Sequence, residues 1–208
     1  GITVINTDNC LGARIATDHL LAHQRRVVGH IAGPLSWWEA RERLRGWQLA
    51  LLQAGLTPGD DLVVEGDWYA ASGEAGLYQL LTRRPDVDAV FAANDQMALG
   101  VLRAAHRLGK RVPEDLAVVG YDNMPESAYF WPALTSVRQR LSEVGRLAIQ
   151  TLHGMIEASR APREGAAGPI PTRVHTLSPE LVIRDSSRGP AALQPGSSET
   201  CDGKAAGA

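Results

Sequence analysis

The sequence predicts an α/β protein in which helices flank parallel sheets. Short β-rich runs alternate with helical patterns along nearly the whole chain. The β-rich runs lack the clean alternation of polar and apolar residues that marks a sheet with one face in water. Strands that are apolar on both sides and separated by helices are expected to be parallel and covered on both faces.

The first half of the chain predicts strands at 2–6, 26–32, 61–66 and 88–93, and helices at 9–22, 36–54 and 72–83. Ser36 and Glu39 have the spacing of a capping box, in which Ser36 accepts from the Glu39 amide and Glu39 reaches back. Gly55 follows the second helix at the position where glycine commonly ends one.

The second half continues the alternation, with a helix from about 95 to 108, strands at 116–122 and 134–139, a helix at 142–158 and two short strands within 173–184. Gly109 ends the first of these helices. Residues 162–171 are predicted to form a flexible loop. Residues 186–208, rich in Gly, Ala, Ser and Pro without an apolar period, are predicted to form a disordered tail.

Composition narrows the class of protein. The 208 residues carry a net charge of -2, which favours neither nucleic acid nor a membrane surface as a partner. No apolar run approaches the roughly 20 residues of a membrane helix. The two cysteines lie far apart, so we expect no structural disulfide and a cytoplasmic location. The chain opens at Gly1 inside an apolar run, which predicts a fragment of a longer protein.

Polar and aromatic residues follow the predicted strands at their carboxyl ends, where open parallel sheets bind ligands. Carboxylates and amides hydrogen-bond hydroxyl groups, and an indole packs on the apolar face of a sugar ring. The set therefore predicts a site for a sugar-like small molecule. Its members, in chain order, are Thr7, Asp8, Asn9, Ser36, Trp37, Trp38, Glu39, Arg43, Asp67, Trp68, Tyr69, Asn94, Asp95, Asp122, Asn123, Arg138 and Gln139.

Each member also has a purely structural interpretation. Asn94 or Asp95 is suited to cap the following helix, and we predict that Asp95 caps while Asn94 faces the ligand. Trp68 is compatible with the core, Arg43 with a surface charge and Asp122 with a turn. Recurrence of polar residues at successive strand ends favours the binding site.

Catalytic and metal motifs do not emerge from the sequence. It contains no phosphate-binding glycine loop, no nucleophile elbow and no CxxC or HExxH pattern. His19 and His23 have metal-pair spacing without an evident third ligand. We therefore predict no metal, no cofactor and no enzymatic activity.

Several motifs together resemble the effector-binding core of LacI/GalR-family transcriptional regulators. The segments that carry the resemblance are DNCLGARIATDHL, HIAGPLSWWEARERLRGW, EGDWYAASG, AANDQMALGVLRAA, RVPEDLAVVGYDN, PALTSVRQ and ELVIRDS. The resemblance implies a periplasmic-binding-protein-like type I fold, with two subdomains joined by three crossovers and the effector held between them. The crossovers would fall near 23–26, near 136–139 and after Ala158.

The implied subdomains are unequal. The C-terminal subdomain would comprise 25–136 and 172–184, and the N-terminal one would be incomplete, with only 1–24 and 138–158. We expect this incomplete subdomain to be unstable. The same resemblance implies that the Arg43 guanidinium donates to effector oxygens and that Trp68 stacks on the ligand. It also implies polar contacts to the effector from Asn94, Asp122 and Gln139. Asp8 is a weaker match, and Trp37 departs from the family as an added aromatic wall.

The resemblance also implies partners. A homodimer is expected, with a face that includes the helix after Ala71, the start of the 97–108 helix and 124–130. Operator DNA would be bound only through a helix-turn-helix upstream of Gly1. The alternative is a periplasmic sugar-binding protein of an ABC transporter, and the upstream sequence would separate the two. A Rossmann-like enzyme is a third, less favoured hypothesis.

Overall fold

The computed structural model describes residues 2–160 and 173–188. Within those residues, strands and α-helices alternate as the sequence predicts. The strands are β1 Thr3–Thr7, β2 Val28–Ala32, β3 Val63–Glu65, β4 Ala89–Ala92, β5 Ala117–Asp122, β6 Thr135–Arg138, β7 Arg173–Leu177 and β8 Glu180–Val182. The helices are α1 Asn9–Ala22, α2 Trp38–Gln53, α3 Ala70–Arg83, α4 Asp95–Arg107 and α5 Leu141–Arg160.

The main sheet has six strands in the order β3-β2-β4-β5-β6-β8. Its strands pair in parallel except for β8, which runs antiparallel to β6. Every residue of β2 and β4 is buried, as expected of parallel strands with both faces covered. The prediction of a parallel sheet flanked by helices is confirmed.

Helices cover both faces of this sheet. Consecutive strand residues point to opposite faces of a sheet. A Cβ added at Gly120 of β5 would contact Asp95 and Ala98 of α4, whereas the side chain of the next residue, Tyr121, lies close to Gly12 of α1. The helices also pack in pairs, α1 on α2 and α3 on α4. The second contact requires glycine, since a Cβ at Gly100 would lie 1.9 Å from the Ala70 carbonyl oxygen.

A separate two-stranded sheet pairs β1 with β7 in parallel. Helix α5 lies against β1 but has no buried residue. We call β1, α5 and β7 the smaller region and all other described elements the larger region. The chain crosses between them at 7–8, at 139–140 and at 178–179.

These crossings correct the predicted division in two places. Helix α1 was expected in the N-terminal subdomain, but its buried face packs on α2 and the main sheet, so the first crossing lies at 7–8 and not at 23–26. Strand β7 was expected in the larger subdomain, but it pairs with β1. The third crossing therefore falls at Ser178-Pro179, not after Ala158, because β8 joins the main sheet only beyond that point.

The predicted disordered tail begins too early. Ser186 and Ser187 are fully buried. The Ser186 hydroxyl accepts from the Thr135 amide at 2.8 Å and donates to the Val118 carbonyl at 2.6 Å, which ties the segment to β5 and β6. The rest of the predicted tail, 189–208, and the predicted loop 162–171 lie outside the described residues.

The predicted capping box at Ser36 is wrong. Helix α2 begins at Trp38, and its N-cap, Trp37, makes no side-chain capping bond. Arg41 donates instead to the carbonyls of Leu35 and Ser36, at 2.9 and 2.8 Å. None of the helices seen in 2–160 and 173–188 is long and apolar enough to cross a membrane.

Candidate functional site

Arg43 lies at the centre of the polar cluster beyond the carboxyl ends of the main-sheet strands. It is 5% exposed, so it is not a surface charge. Its Nε donates to Asn9 Oδ1 at 2.8 Å, and its Nη1 donates to the Ala93 carbonyl at 2.5 Å. The guanidinium carbon lies 3.7 Å from the ring centre of Tyr121, a cation–π distance. These contacts hold the guanidinium in one orientation.

Asp122 and Gln139 bring the ends of two neighbouring strands together beside Arg43. The Gln139 amide donates to Asp122 Oδ1 at 2.7 Å, and the same oxygen lies 3.8 Å from Arg43 Nη1. Burial raises the pKa of Asp122, while Arg43 and Gln139 act to lower it. About a third of the Asp122 side chain remains exposed, so it can still accept from a ligand.

Trp68 forms an aromatic wall of the same cluster. Its ring lies 5.6 Å from the Arg43 guanidinium and packs on Gly33, where an added Cβ would fall 2.1 Å from the indole. Its backbone adopts a φ of +76°, which non-glycine residues seldom do. Trp37 meets Trp68 edge-on at 6.1 Å and is 56% exposed. The two indoles form a corner open to solvent.

The capping role predicted for Asp95 belongs to Asn94. Asn94 is the N-cap of α4: its Oδ1 accepts from the Met97 amide at 2.8 Å. Its Nδ2 donates to the Trp68 carbonyl at 2.9 Å, so Asn94 fixes the position of the Trp68 backbone. Asp95 does not cap the helix but is fully buried and accepts from groups on other segments.

Asp8 reaches the cluster only through its neighbour. Its Oδ1 caps α1 by accepting from the Leu11 amide at 2.8 Å. Asn9, which lies among the strand-end residues but not among the effector contacts that the resemblance implies, makes the contact with Arg43 and also donates to the Thr7 carbonyl at 3.2 Å. Sequence signals for Asn9 were weak, because an asparagine after a strand resembles an ordinary helix start.

Tyr121 belongs to the cluster and was missed by the sequence analysis. It is fully buried beneath Arg43, and within the described residues its hydroxyl has no hydrogen-bond partner. Burial raises its pKa, although the nearby Arg43 acts to lower it. A Cβ at Gly12 would lie 2.4 Å from this hydroxyl, so α1 can approach the ring only with glycine there.

The His19 and His23 pair is engaged in protein contacts. His19 Nε2 lies 2.8 Å from the Ser187 hydroxyl, and His23 Nδ1 lies 2.8 Å from the His19 carbonyl. Among residues 2–160 and 173–188, no three His, Cys, Asp or Glu side chains are grouped to hold a metal ion.

The cluster combines a buried fork of donors, a part-exposed carboxylate, an amide and two indole faces. Planar donors and carboxylates suit the hydroxyl groups of a polyol, and indole faces suit the apolar face of a ring. The structure thus brings Arg43, Trp68, Asn94, Asp122, Gln139 and Trp37 together by direct contacts, with Asp8 one residue removed.

Comparison with known proteins gives a consistent result. Residues 17–187 match the family model of the periplasmic binding protein-like domain. The transcriptional regulator CelR of Thermobifida fusca is 44% identical over 145 residues, which cover 70% of this chain and 43% of that protein. The ribose operon repressor of Halalkalibacterium halodurans is 30% identical, over 90% of this chain and 53% of the repressor.

Comparison with a solved structure gives the same result. The structure of a transcriptional regulator CelR–cellobiose complex has a TM-score of 0.81 at 38% identity, over 89% of this chain and 54% of that one. The chain spans about half the length of the curated relatives it matches. It belongs to the periplasmic binding protein-like domain family and, within that family, to the effector-binding domains of LacI-family transcriptional regulators.

Proposed function

We propose that this chain binds a sugar-like effector through Arg43, Trp68, Asp122 and Gln139, and that binding controls operator affinity in a LacI-family regulator. The observation that carries the proposal is the contact series from Trp68 through Arg43 and Asp122 to Gln139, at the carboxyl ends of parallel strands. Asn94 supports it by holding Trp68, and Trp37 and Asp8 border it.

The site lies where the two regions meet. Asn9, the partner of Arg43, follows the first crossing, and Gln139, the partner of Asp122, lies on the second. An effector that contacts Arg43 and Asp122 therefore acts on groups bonded to both crossings. Effector and operator affinities are then linked reciprocally, and a tenfold change requires about 1.4 kcal/mol of differential contact.

Cellobiose is the first ligand to test. A CelR structure at 38% identity is described as a cellobiose complex. The corner formed by Trp37 and Trp68 offers two indole surfaces, which suits a ligand with more than one sugar ring. We therefore propose a disaccharide or a related oligosaccharide as the effector class.

The remaining partners are also part of the proposal. Operator DNA would be contacted by the portion of the regulator that this chain does not match, and the regulator would act as a homodimer in the cytoplasm. An ABC-transporter sugar receptor is not favoured, because the similar proteins are transcriptional regulators. We assign no catalytic role to the cluster.

Calorimetry with cellobiose and a panel of other sugars tests the proposal. Arg43→Ala and Trp68→Ala should each weaken binding about tenfold or more, since each removes a contact of about 1.4 kcal/mol. Trp131→Ala is the matched control, because it removes the same kind of side chain at a position that is 96% exposed. Unchanged affinity in both site variants, with circular dichroism like that of the wild type, would remove the assignment.

A further inference from the structure

Asp95 is a buried carboxylate whose hydrogen bonds go to Met124, Ser127 and Ser136, and not to the N-terminus of α4. It is fully buried, and Asn94 already caps α4. Its Oδ2 accepts from the Met124 amide at 2.8 Å and the Ser127 hydroxyl at 2.6 Å, and its Oδ1 accepts from the Ser136 hydroxyl at 2.5 Å. The carboxylate thereby joins α4 to β6 and to the segment that follows β5.

The turn that directly precedes Met124 is conformationally unusual. Asp122 and Asn123 have φ values of +104° and +52°, in a region that non-glycine residues rarely occupy. Surrounding groups must hold such a turn. The Asn123 amide donates to the Ser136 hydroxyl oxygen at 3.0 Å, and Arg184 Nη2 donates to Asn123 Oδ1 at 2.7 Å.

Asp95 determines the orientation of the Ser136 hydroxyl. A hydroxyl has one proton and two lone pairs. Because the proton is directed to Asp95 Oδ1, a lone pair is free to accept from the Asn123 amide. Asp122 is the residue before Asn123, so the same arrangement constrains the direction of its carboxylate.

The charge on Asp95 opposes folding at neutral pH. Burial raises its pKa to about 6, although the bonds from Ser127, Ser136 and Met124 act to lower it, and the nearby Asp122 raises it further. Burial lowers the pKa of Arg184, and the Asp95 charge acts to raise it. Because the folded-state pKa of Asp95 lies above the unfolded value of 3.8, the contribution of Asp95 to stability is complete below pH 3.8. It is lost as the pH rises through about 6.

We infer that Ser136, oriented by Asp95, is a positioning residue for the effector site: it fixes the Asp122–Asn123 turn and so directs the Asp122 carboxylate toward the ligand. The role of Asp122 in this inference rests on the proposed function. The geometry of the Asp122–Asn123 turn is independent of the proposed function.

Two serine variants test the inference. Asp95→Ala would leave three donors without an acceptor and is a poor test, because it would disturb folding. Ser136→Ala and Ser127→Ala each remove one buried hydroxyl bond to Asp95, and both serines are fully buried. Only Ser136→Ala also removes the acceptor of the Asn123 amide. Ser127→Ala is therefore the matched control.

The first measurement is ligand-free hydrogen exchange on the 208-residue chain. We expect the amides at 122–124 to exchange about tenfold faster in Ser136→Ala than in the wild type, and the Asn123 amide to be little changed in Ser127→Ala. Equal acceleration in both variants, or acceleration in neither, would overturn the inference.

The second measurement is calorimetry with cellobiose, or with the sugar of the panel that the wild type binds best. Ser136→Ala should weaken binding about tenfold, which corresponds to 1.4 kcal/mol, and Ser127→Ala less than about threefold. Equal losses in both would mean that Asp95 serves stability alone. If the wild type binds no sugar, the proposed function fails, while hydrogen exchange still decides whether Asp95 and Ser136 fix the turn.

Discussion

The larger and smaller regions contain helices of similar pattern and very different packing. Helix α4 buries Met97, Val101 and Leu102 against the main sheet and α3. Helix α5 also has an apolar side, yet Ile149 is 69% exposed and Leu152 is 54% exposed. An amphipathic pattern therefore specifies which face of a helix is apolar, but the surrounding elements decide whether that face is covered.

The strands show the same contrast. Strand β4 pairs with β2 on one side and β5 on the other, and all its residues are buried. Strand β1 pairs with β7 alone among the described residues, so its second edge carries unpaired backbone groups. The larger region thus has a sheet whose inner strands are paired on both sides and buried. The smaller region has a sheet of only two strands among the described residues.

Hydrogen exchange should show the largest difference between the regions. Amides of β2, β4 and α1 should open only with global unfolding, typically at 5–15 kcal/mol, whereas those of α5 and β1 should open at a cost near zero. Within 1–24 we therefore expect only β1 to be unstable, since α1 belongs to the larger region. Protection of α5 equal to that of α4 would contradict the comparison.

Paired leucine substitutions should show the next largest difference. Leu77 of α3 is fully buried, so Leu77→Ala should lower the free energy of unfolding by about 2–5 kcal/mol. Leu152→Ala makes the same chemical change on an exposed face and should cost less than about 0.5 kcal/mol. Urea denaturation measures both, and equal costs would mean that α5 is packed as tightly as α3.

A buried histidine should make the larger region sensitive to acid. His30 is fully buried between Phe91 and Trp47, and burial lowers its pKa to about 4, although its bond to the Phe91 carbonyl acts to raise it. Because the unfolded chain takes up the proton near pH 6.5, stability is full above that pH and declines as the pH falls toward 4. The loss is about 3 kcal/mol at most.

Replacing His30 with Gln should flatten the dependence of unfolding free energy on pH between 6.5 and 4. His153→Gln on the exposed face of α5 is the matched control and should leave that dependence as it is in the wild type. A pH profile that is equally steep in the wild type and in His30→Gln would show that other groups cause the acid sensitivity.

Local patterns predicted most of the fold. Gly55 and Gly109 have φ values of +73° and +68° just past α2 and α4, as expected of glycines that end helices. The capping box failed because Ser36 lies in a turn, where the Trp37 amide bonds to the Pro34 carbonyl, and α2 starts later. Burial of Ser186 could not be predicted, because its bonds reach Val118 and Thr135, distant in sequence.

The residue types of the candidate site were also predictable, but their contacts were not. Arg43, Trp68 and Asp122 stood out as polar or aromatic residues near strand ends. Asn9 was one of these residues but was not predicted to contact the ligand site, because it resembles a helix start, and Tyr121 resembles a core strand residue. Only the meeting of α1, α2 and β5 shows that both surround the Arg43 guanidinium.

The sequence by itself determined the order of strands and helices, the parallel sheet and the residue types that gather at the strand ends, because these follow from periodicity and from residue type. The tertiary structure alone decided that Asn94 caps while Asp95 is buried, that α1 belongs to the larger region and that β7 pairs with β1. The physical reason is that a buried polar group takes whichever partner the packing brings within reach, and such partners are often far away in sequence.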